Sequence, residues 1–286
     1  MSAPTSSEPA TAPVTRPWWL RQRWLLLRRA SQFGLLGLFM LGPWAGIWWA
    51  KGNLAASTWF DLVPLSDPFI VLQSWLAVGA VTSTALLGAG LIAGFYWLVG
   101  GRVFCSWVCP VNVITDAAHW LRTRLRLPPG WRPQRSLRLW LAAMCLVAAT
   151  LTGSLVWELV NPVTLVQRAL VFGVGAGWTV MLAVFLFDLL VSRRGWCGHL
   201  CPVGAFYGLL GTASPLRVAA HAREACTDCG DCFEVCPEPQ VISPALRGSG
   251  TRIVVSGDCT NCGRCIDVCP DDVFRFAQRY RYRPPG

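Results

Sequence analysis

Thirteen of the 286 residues are cysteines, and twelve of those fall into two regular patterns. Near the C-terminus, Cys226-x2-Cys229-x2-Cys232-x3-Cys236-Pro237 is followed by Cys259-x2-Cys262-x2-Cys265-x3-Cys269-Pro270. This is the spacing of two-cluster bacterial ferredoxins, in which the fourth cysteine of each run ligates the other cluster. A cubane needs four thiolates converging on its corners. The short spacing lets one tight loop supply three of them while its backbone N–H groups face the sulfides. On that rule Cys226, Cys229, Cys232 and Cys269 hold one [4Fe–4S] cluster, and Cys259, Cys262, Cys265 and Cys236 hold the second. Zinc sites use paired Cys-x2-Cys units rather than triplets with an offset Cys-Pro, and disulfides are disfavoured in a reducing compartment. The expectation is therefore two clusters on these eight metal-ligating cysteines.

The second pattern is Cys105-Ser-Trp-Val-Cys109-Pro110 and Cys197-Gly-His-Leu-Cys201-Pro202. On a helix, thiols four residues apart share a face, but two cysteines are half a cluster site. Together Cys105, Cys109, Cys197 and Cys201 would suffice for a further metal or cluster, or for two redox-active disulfides. Partner docking and plain packing before a proline break stand beside that reading, since unpaired cysteine is commonly buried. His199 inside the second motif corresponds to Trp107 in the first, which argues against a shared metal-ligand role. Cys145 stands alone and reads as core filler.

The elements that position these residues follow from hydropathy. Mean hydropathy is +0.44, 53% of residues are apolar and 14% charged, against about 25% charged in soluble domains. Crossing ~30 Å of hydrocarbon takes ~20 apolar residues, and residues 30–50, 72–99, 136–157 and 168–191 qualify. The formal charge of +10 comes from arginine-rich stretches before the first and between the second and third of these, with few basic residues in the other loops. That bias predicts both termini inside, and it sets nucleic acid aside as a partner. The two C-x3-C-P motifs, and Asp67-Pro68 with Asn161-Pro162, repeat at nearly the same offset, which indicates a duplicated helical hairpin.

The expected fold is thus membrane all-α: four transmembrane helices as two repeated hairpins, then a small α+β two-cluster ferredoxin domain. The expected segments are a disordered cytoplasmic tail (1–17), a membrane domain carrying both C-x3-C-P motifs (18–212) and a cytoplasmic ferredoxin domain (213–286). Nine of the fifteen acids follow residue 220. A small hairpin around the turn at 248–250 is expected to cover the clusters. A domain of ~60 residues has little core of its own, so the clusters are expected to hold its fold together.

The sequence resembles the NapH family, the membrane-bound ferredoxin-type components of periplasmic nitrate reductase systems. The likeness is carried by Trp24-Leu25-Leu26-Leu27-Arg28-Arg29, Gly42-Pro43-Trp44, Phe104-Cys105-Ser106-Trp107-Val108-Cys109-Pro110, Trp157-Glu158 with Asn161-Pro162, Gly195-Trp196-Cys197-Gly198-His199 and Cys236-Pro237-Glu238-Pro239. It covers nearly everything after residue 17, with no departure at the twelve motif cysteines. The resemblance implies a bacterial inner-membrane, multi-pass protein with four transmembrane helices and both clusters cytoplasmic. It also implies quinol as electron donor, and a periplasmic ferredoxin-type subunit or a membrane cytochrome as partner. Methylamine-utilisation polyferredoxins are of similar build.

Quinol oxidation releases protons, and a quinol bound within the helical bundle makes intramembrane ionisable groups the first candidates to accept them. Glu158 is the expected acceptor and Asp67 its repeat-related second, with turn chemistry beside Pro68 the bland reading of Asp67. Asp188 is expected to pair with a nearby arginine or to snorkel to the inner surface. The competing class is a redox-supply or maturation factor for an exported metalloenzyme, using the same clusters.

Overall fold

The computed structural model describes residues 17–283 apart from 129, 132, 174 and 249; the expected tail thus lies, but for residue 17, outside the described residues. The first long helix, α1 (Arg23–Ala45), ends where Gly46 adopts φ +72°; the Gly46 N–H donates to the Gly42 carbonyl and the Ile47 N–H to that of Leu41. A three-stranded antiparallel sheet follows, of β1 (Ala50–Gly52), β2 (Ala56–Trp59) and β3 (Val63–Ser66).

The duplication is visible in the next segments. In the first copy, Asp67 caps α2 (Pro68–Val78) by accepting from the Phe69 N–H, and Gly79 ends that helix at φ +73°. Thr82 then caps α3 (Ser83–Val99), and α4 (Val103–Trp107) and α5 (Val111–Arg124) flank Cys109-Pro110. The second copy comes after α6 (Leu137–Thr152) and the short α7 (Val156–Val160). Asn161 caps α8 (Pro162–Phe172) through the Val163 N–H, and Gly173 ends it at φ +74°. Then come α9 (Ala176–Leu186), π-helical turns over Phe187–Val191 and Trp196–Leu200, and α10 (Pro202–Gly211). Both copies thus use an Asx cap with proline at the first helical position and a glycine in the left-handed region that only it adopts cheaply.

These glycines overturn the expected four-helix membrane architecture. The apolar window 72–99 is divided into α2 and α3 by the Gly79 stop and the Thr82 cap, and 168–191 is divided at Gly173. The stretch 136–157 stops at Gly153, φ +63°, after a 16-residue helix, roughly 24 Å at 1.5 Å per residue. In α1, Arg23, Arg28 and Arg29 occupy the first two turns, leaving too short an apolar remainder. No helix among the described residues is long and apolar enough to cross a membrane, so the all-α transmembrane fold and the multi-pass inner-membrane placement are not carried by this structure. The chain is instead mixed: helices, two small sheets and ferredoxin-type segments. Several arginines counted as topology signals have structural roles. Arg28, Arg102 and Arg122 are buried. Arg28 and Gln32 both donate to the Ser106 carbonyl, and Gln32 also to that of Cys109, so α1 grips the first C-x3-C-P motif.

After α10, the antiparallel pair β4 (Leu216–Ala220) and β5 (Phe274–Gln278) brackets the C-terminal, ferredoxin-type cysteine pattern. Between them lie three short helices, α11 (Asp231–Val235), α12 (Ile242–Arg247) and α13 (Arg264–Val268). Among the described residues, the hairpin expected near 248–250 does not form. Helix α12 takes its place, with Ile242, Ala245 and Leu246 in the core, and Ile253 bridges to Ala219 of β4 instead.

Candidate iron–sulfur and donor sites

The two C-terminal cysteine loops have the same backbone construction. In the first, Asp228 and Gly230 flank Cys229 with φ of +55° and +84°; in the second, Asn261 and Gly263 flank Cys262 with +46° and +72°. Paired left-handed residues coil each loop so that its three cysteines face inward. Each loop runs into a five-residue helix, α11 or α13, that carries the third cysteine and is followed at once by the offset one, Cys236 or Cys269. The two helices pack on each other, which crosses the fourth cysteines over.

The electrostatic neighbours record that crossing. Burial pushes the Cys232 thiol up to about 11, with Cys269, Cys229 and Cys226 adding to the shift. Burial also raises Cys236 and Cys265; Cys262 and Cys259 add to the shift at Cys236, and Cys262, Cys236 and Cys259 to that at Cys265, where Cys232 of the other set adds less. The structure therefore brings together Cys226, Cys229, Cys232 and Cys269 on one side, and Cys259, Cys262, Cys265 and Cys236 on the other. Buried thiols facing one another repel as thiolates, and iron between them would reverse that penalty, so the donor set fits a thiolate-bound cluster. Among the described residues no three His, Cys, Asp or Glu side chains are gathered tightly enough for a single metal ion. Thiolates around a cubane stand farther apart than the ~3.8 Å between sulfurs of a tetrahedral zinc site with 2.3 Å bonds. Val218, Ile242, Leu246, Val254, Ile266 and Phe274 form an apolar core against Cys226, Cys232, Cys236, Cys259, Cys265 and Cys269, which limits solvent access there, whereas Cys229 is exposed.

The C-x3-C-P cysteines also come together, although they are distant in sequence. Cys105 lies in α4, Cys109 just beyond it, Cys197 in the π turn, and Cys201 caps α10 by accepting the Gly204 N–H at 3.4 Å. All four line one small apolar cleft with Phe104 and Trp157. Burial raises every one of these thiols, Cys201 to about 12. Cys145 packs at the edge of the same core. His199 is half-buried and lines no part of that cleft.

The two candidate carboxylates are placed differently. Asp67 is buried; its oxygen accepts the Phe69 N–H at 2.8 Å. Burial raises its carboxyl to about 6. It lines a second cleft, of about 130 Å³, with Tyr96, Tyr207, Trp59, Phe39 and Phe104. Tyr96 and Tyr207 meet edge to face, and Phe104 stacks on Tyr207. Glu158 lines neither cleft. It is half-buried on α7, accepting from Asn161 Nδ2 at 3.1 Å. Asp188 is buried without the expected arginine pair: its carboxylate accepts the Trp196 N–H at 3.0 Å, and Arg122 binds the Asp188 backbone carbonyl. Burial raises it to about 7.

Sequence reasoning missed Arg102. Fully buried after Gly100-Gly101, it donates to Glu238 Oε1 at 2.8 Å, the Cys197 carbonyl at 2.8 Å and the Asp258 carbonyl at 3.2 Å. One guanidinium thus joins both C-x3-C-P motifs to the Cys259 loop. The signal for it was an arginine set between two glycines and a motif cysteine, with Glu238 directly after Cys236-Pro237.

Comparison with known proteins agrees with this division. Residues 82–128 and 174–217 each match the family model "4Fe-4S binding domain", and 219–270 match "4Fe-4S dicluster domain". The methylamine utilization ferredoxin-type protein MauN of Methylorubrum extorquens is 55% identical over 92% of each chain. MauN of Paracoccus denitrificans is 55% identical over 97% of this chain and 98% of its own. The ferredoxin-type protein NapH of Escherichia coli is 52% identical over 92% of each. No solved structure matches. With identity of this extent along nearly the whole of both chains, the protein belongs to the family of NapH- and MauN-type ferredoxin-type 4Fe-4S electron-transfer proteins.

Proposed function

We propose that this protein relays electrons from a quinol through two [4Fe–4S] clusters to a redox partner of an exported enzyme system. Cys226, Cys229, Cys232 and Cys269 hold one cluster, and Cys259, Cys262, Cys265 and Cys236 the other. The observation that carries this reading is the crossed convergence of the thiols into two groups of four against a shared apolar core, with Cys229 at the surface.

The donor site in this reading is the aromatic cleft at Asp67. A quinol ring fits a cleft walled by Tyr96, Tyr207 and Trp59, and a buried carboxyl near pKa 6 is ionised at neutral pH yet ready to take a proton. Each quinol gives up two electrons and two protons, and each cluster accepts one electron, so two clusters match one donor. Asp67 receives one proton at its carboxylate, and Glu158, close enough to act on Asp67 electrostatically, is the second carboxylate in reach. The acceptor proposed is a ferredoxin-type subunit or a cytochrome of a nitrate reductase system. Equal or greater similarity to MauN favours a second reading, electron supply to a methylamine-utilising system or to the maturation of its enzyme.

Anaerobic mixing of the purified holoprotein with a reduced quinol analogue, followed by cluster EPR, tests the donor. Rapid appearance of the reduced-cluster signal is expected. Reduction only by a soluble low-potential donor, with none from quinol, overturns the quinol assignment and favours the supply role.

A further inference from the structure

We propose that the four cysteines of the two C-x3-C-P motifs form one site that binds a third [4Fe–4S] cluster, between the aromatic cleft and the Cys259–Cys262 loop. The argument starts from number and place. Each motif lies in one of the two stretches that match a 4Fe-4S binding model, yet each supplies only two thiols. The repeat brings the two halves face to face, so Cys105, Cys109, Cys197 and Cys201 line a single cleft. They are mutual electrostatic neighbours: Cys105 and Cys201 act on Cys109, and Cys109, Cys201 and Cys105 on Cys197. Four cysteines are the complete ligand set of a cubane cluster.

The surroundings suit a thiolate-bound cluster. Phe104 and Trp157 wall the cleft with apolar surface. The Gly204 N–H already donates to Cys201 Sγ, as backbone donors do to cluster sulfurs. The Arg102 guanidinium stands against Cys105 and counters the upward push of burial on that thiol. Beside it, three arginines, Arg102, Arg135 and Arg138, face two carboxylates, Glu238 and Asp258. That leaves a positive excess beside a centre which carries net negative charge with four thiolates.

Position gives the site its use. Phe104 lines both the aromatic cleft and the four-cysteine cleft. On the other side, Ser106 Oγ donates to the Thr260 carbonyl at 2.8 Å and Trp107 Nε1 to that of Asn261 at 3.3 Å, so α4 sits directly on the Cys259–Cys262 loop. The third cluster needs no particular donor, and its presence stands or falls apart from the quinol reading.

The test is the iron and acid-labile sulfide content of the anaerobically isolated full chain. About twelve of each per chain are expected, against about eight for two clusters. The double variant Cys109→Ser with Cys201→Ser is expected to lose about four of each and the spin-coupling that a third centre adds to the reduced EPR spectrum. Cys145→Ser, at the edge of the same core, is expected to lose none. If the double variant does not accumulate, the converse pair Cys229→Ser with Cys262→Ser supplies the answer by retaining about four iron atoms. A wild-type count of about eight, stoichiometric zinc in place of iron, or alkylation and mass spectrometry showing the motif cysteines disulfide-linked in the isolated protein would each overturn the proposal. Quinol-driven reduction is read separately, so a failed donor assay leaves the iron count standing.

Discussion

Single buried ionisable groups set the most direct expectations. Asp67 is raised by burial from an ordinary value of 3.8 to about 6. For an acid with a raised folded-state pKa, the folded form holds its proton longer than the unfolded chain does. Stability contributed by this group is therefore full below about pH 4 and falls as pH rises to about 6, by on the order of 3 kcal/mol. The repeat itself indicates the neutral replacement, because Asn161 caps α8 as Asp67 caps α2. Asp67→Asn is expected to keep the cap, flatten the pH 4–6 slope in denaturant titrations, and slow quinol-driven reduction. An unchanged slope would remove Asp67 as its source. The Arg102–Glu238 pair is almost wholly buried, and removing one partner strands the other. Arg102→Ala is expected to cost about 3–5 kcal/mol, measured by chemical denaturation of the holoprotein. A loss below ~1 kcal/mol, the range of exposed pairs, would contradict its role as the joint between the motifs.

At the scale of elements, the decisive features are close backbone approaches. A Cβ on Gly101 would lie 1.8 Å from the Tyr207 carbonyl and 2.5 Å from the Gly211 N, both backbone atoms of α10 or its end. The loop before α4 can sit on α10 only without a side chain. Gly101→Ala is expected to destabilise by at least about 2 kcal/mol, read as a lower unfolding midpoint, whereas Gly90→Ala in α3, where a Cβ meets nothing within 4 Å, is expected to be neutral or slightly stabilising. The same scale explains what hydropathy did not convey. A window sums side-chain character over twenty residues, but one residue at positive φ ends a helix. Gly79 and Gly173 do so inside stretches that read as continuous. The repeat was legible from Asp67-Pro68 and Asn161-Pro162, and it forms as two matching capped helices; their glycine stops needed the backbone to be seen.

Across the whole molecule, the N-terminal end of α1 is fastened to the ferredoxin segment. The Trp24 N–H donates to Asp267 at 3.0 Å, Arg264 donates to Gln22 at 2.6 Å, and Trp24 meets Phe276 edge to face. Cluster loss should therefore be felt at both ends of the chain. Removing iron with a chelator, or substituting Cys262→Ser, is expected to raise hydrogen exchange not only over 226–270 but also over 20–28, because metal binding and folding are linked in small cysteine-rich segments. Exchange confined to the C-terminal segment would show that the two parts are energetically independent.

The sequence by itself determined the ferredoxin pattern, the offset fourth cysteines, the duplication and the family. These are local or periodic features, written in spacings of a few residues, and the loop backbone has little choice but to follow them. Tertiary structure alone decided which helices run unbroken, which of two carboxylates lines a cleft, and that an unremarked arginine joins three loops. It also brought Cys105 and Cys109 against Cys197 and Cys201. Thiols so far apart in the chain meet only because the repeat packs its halves against each other, and that packing rests on the sum of many side-chain contacts rather than on any one motif.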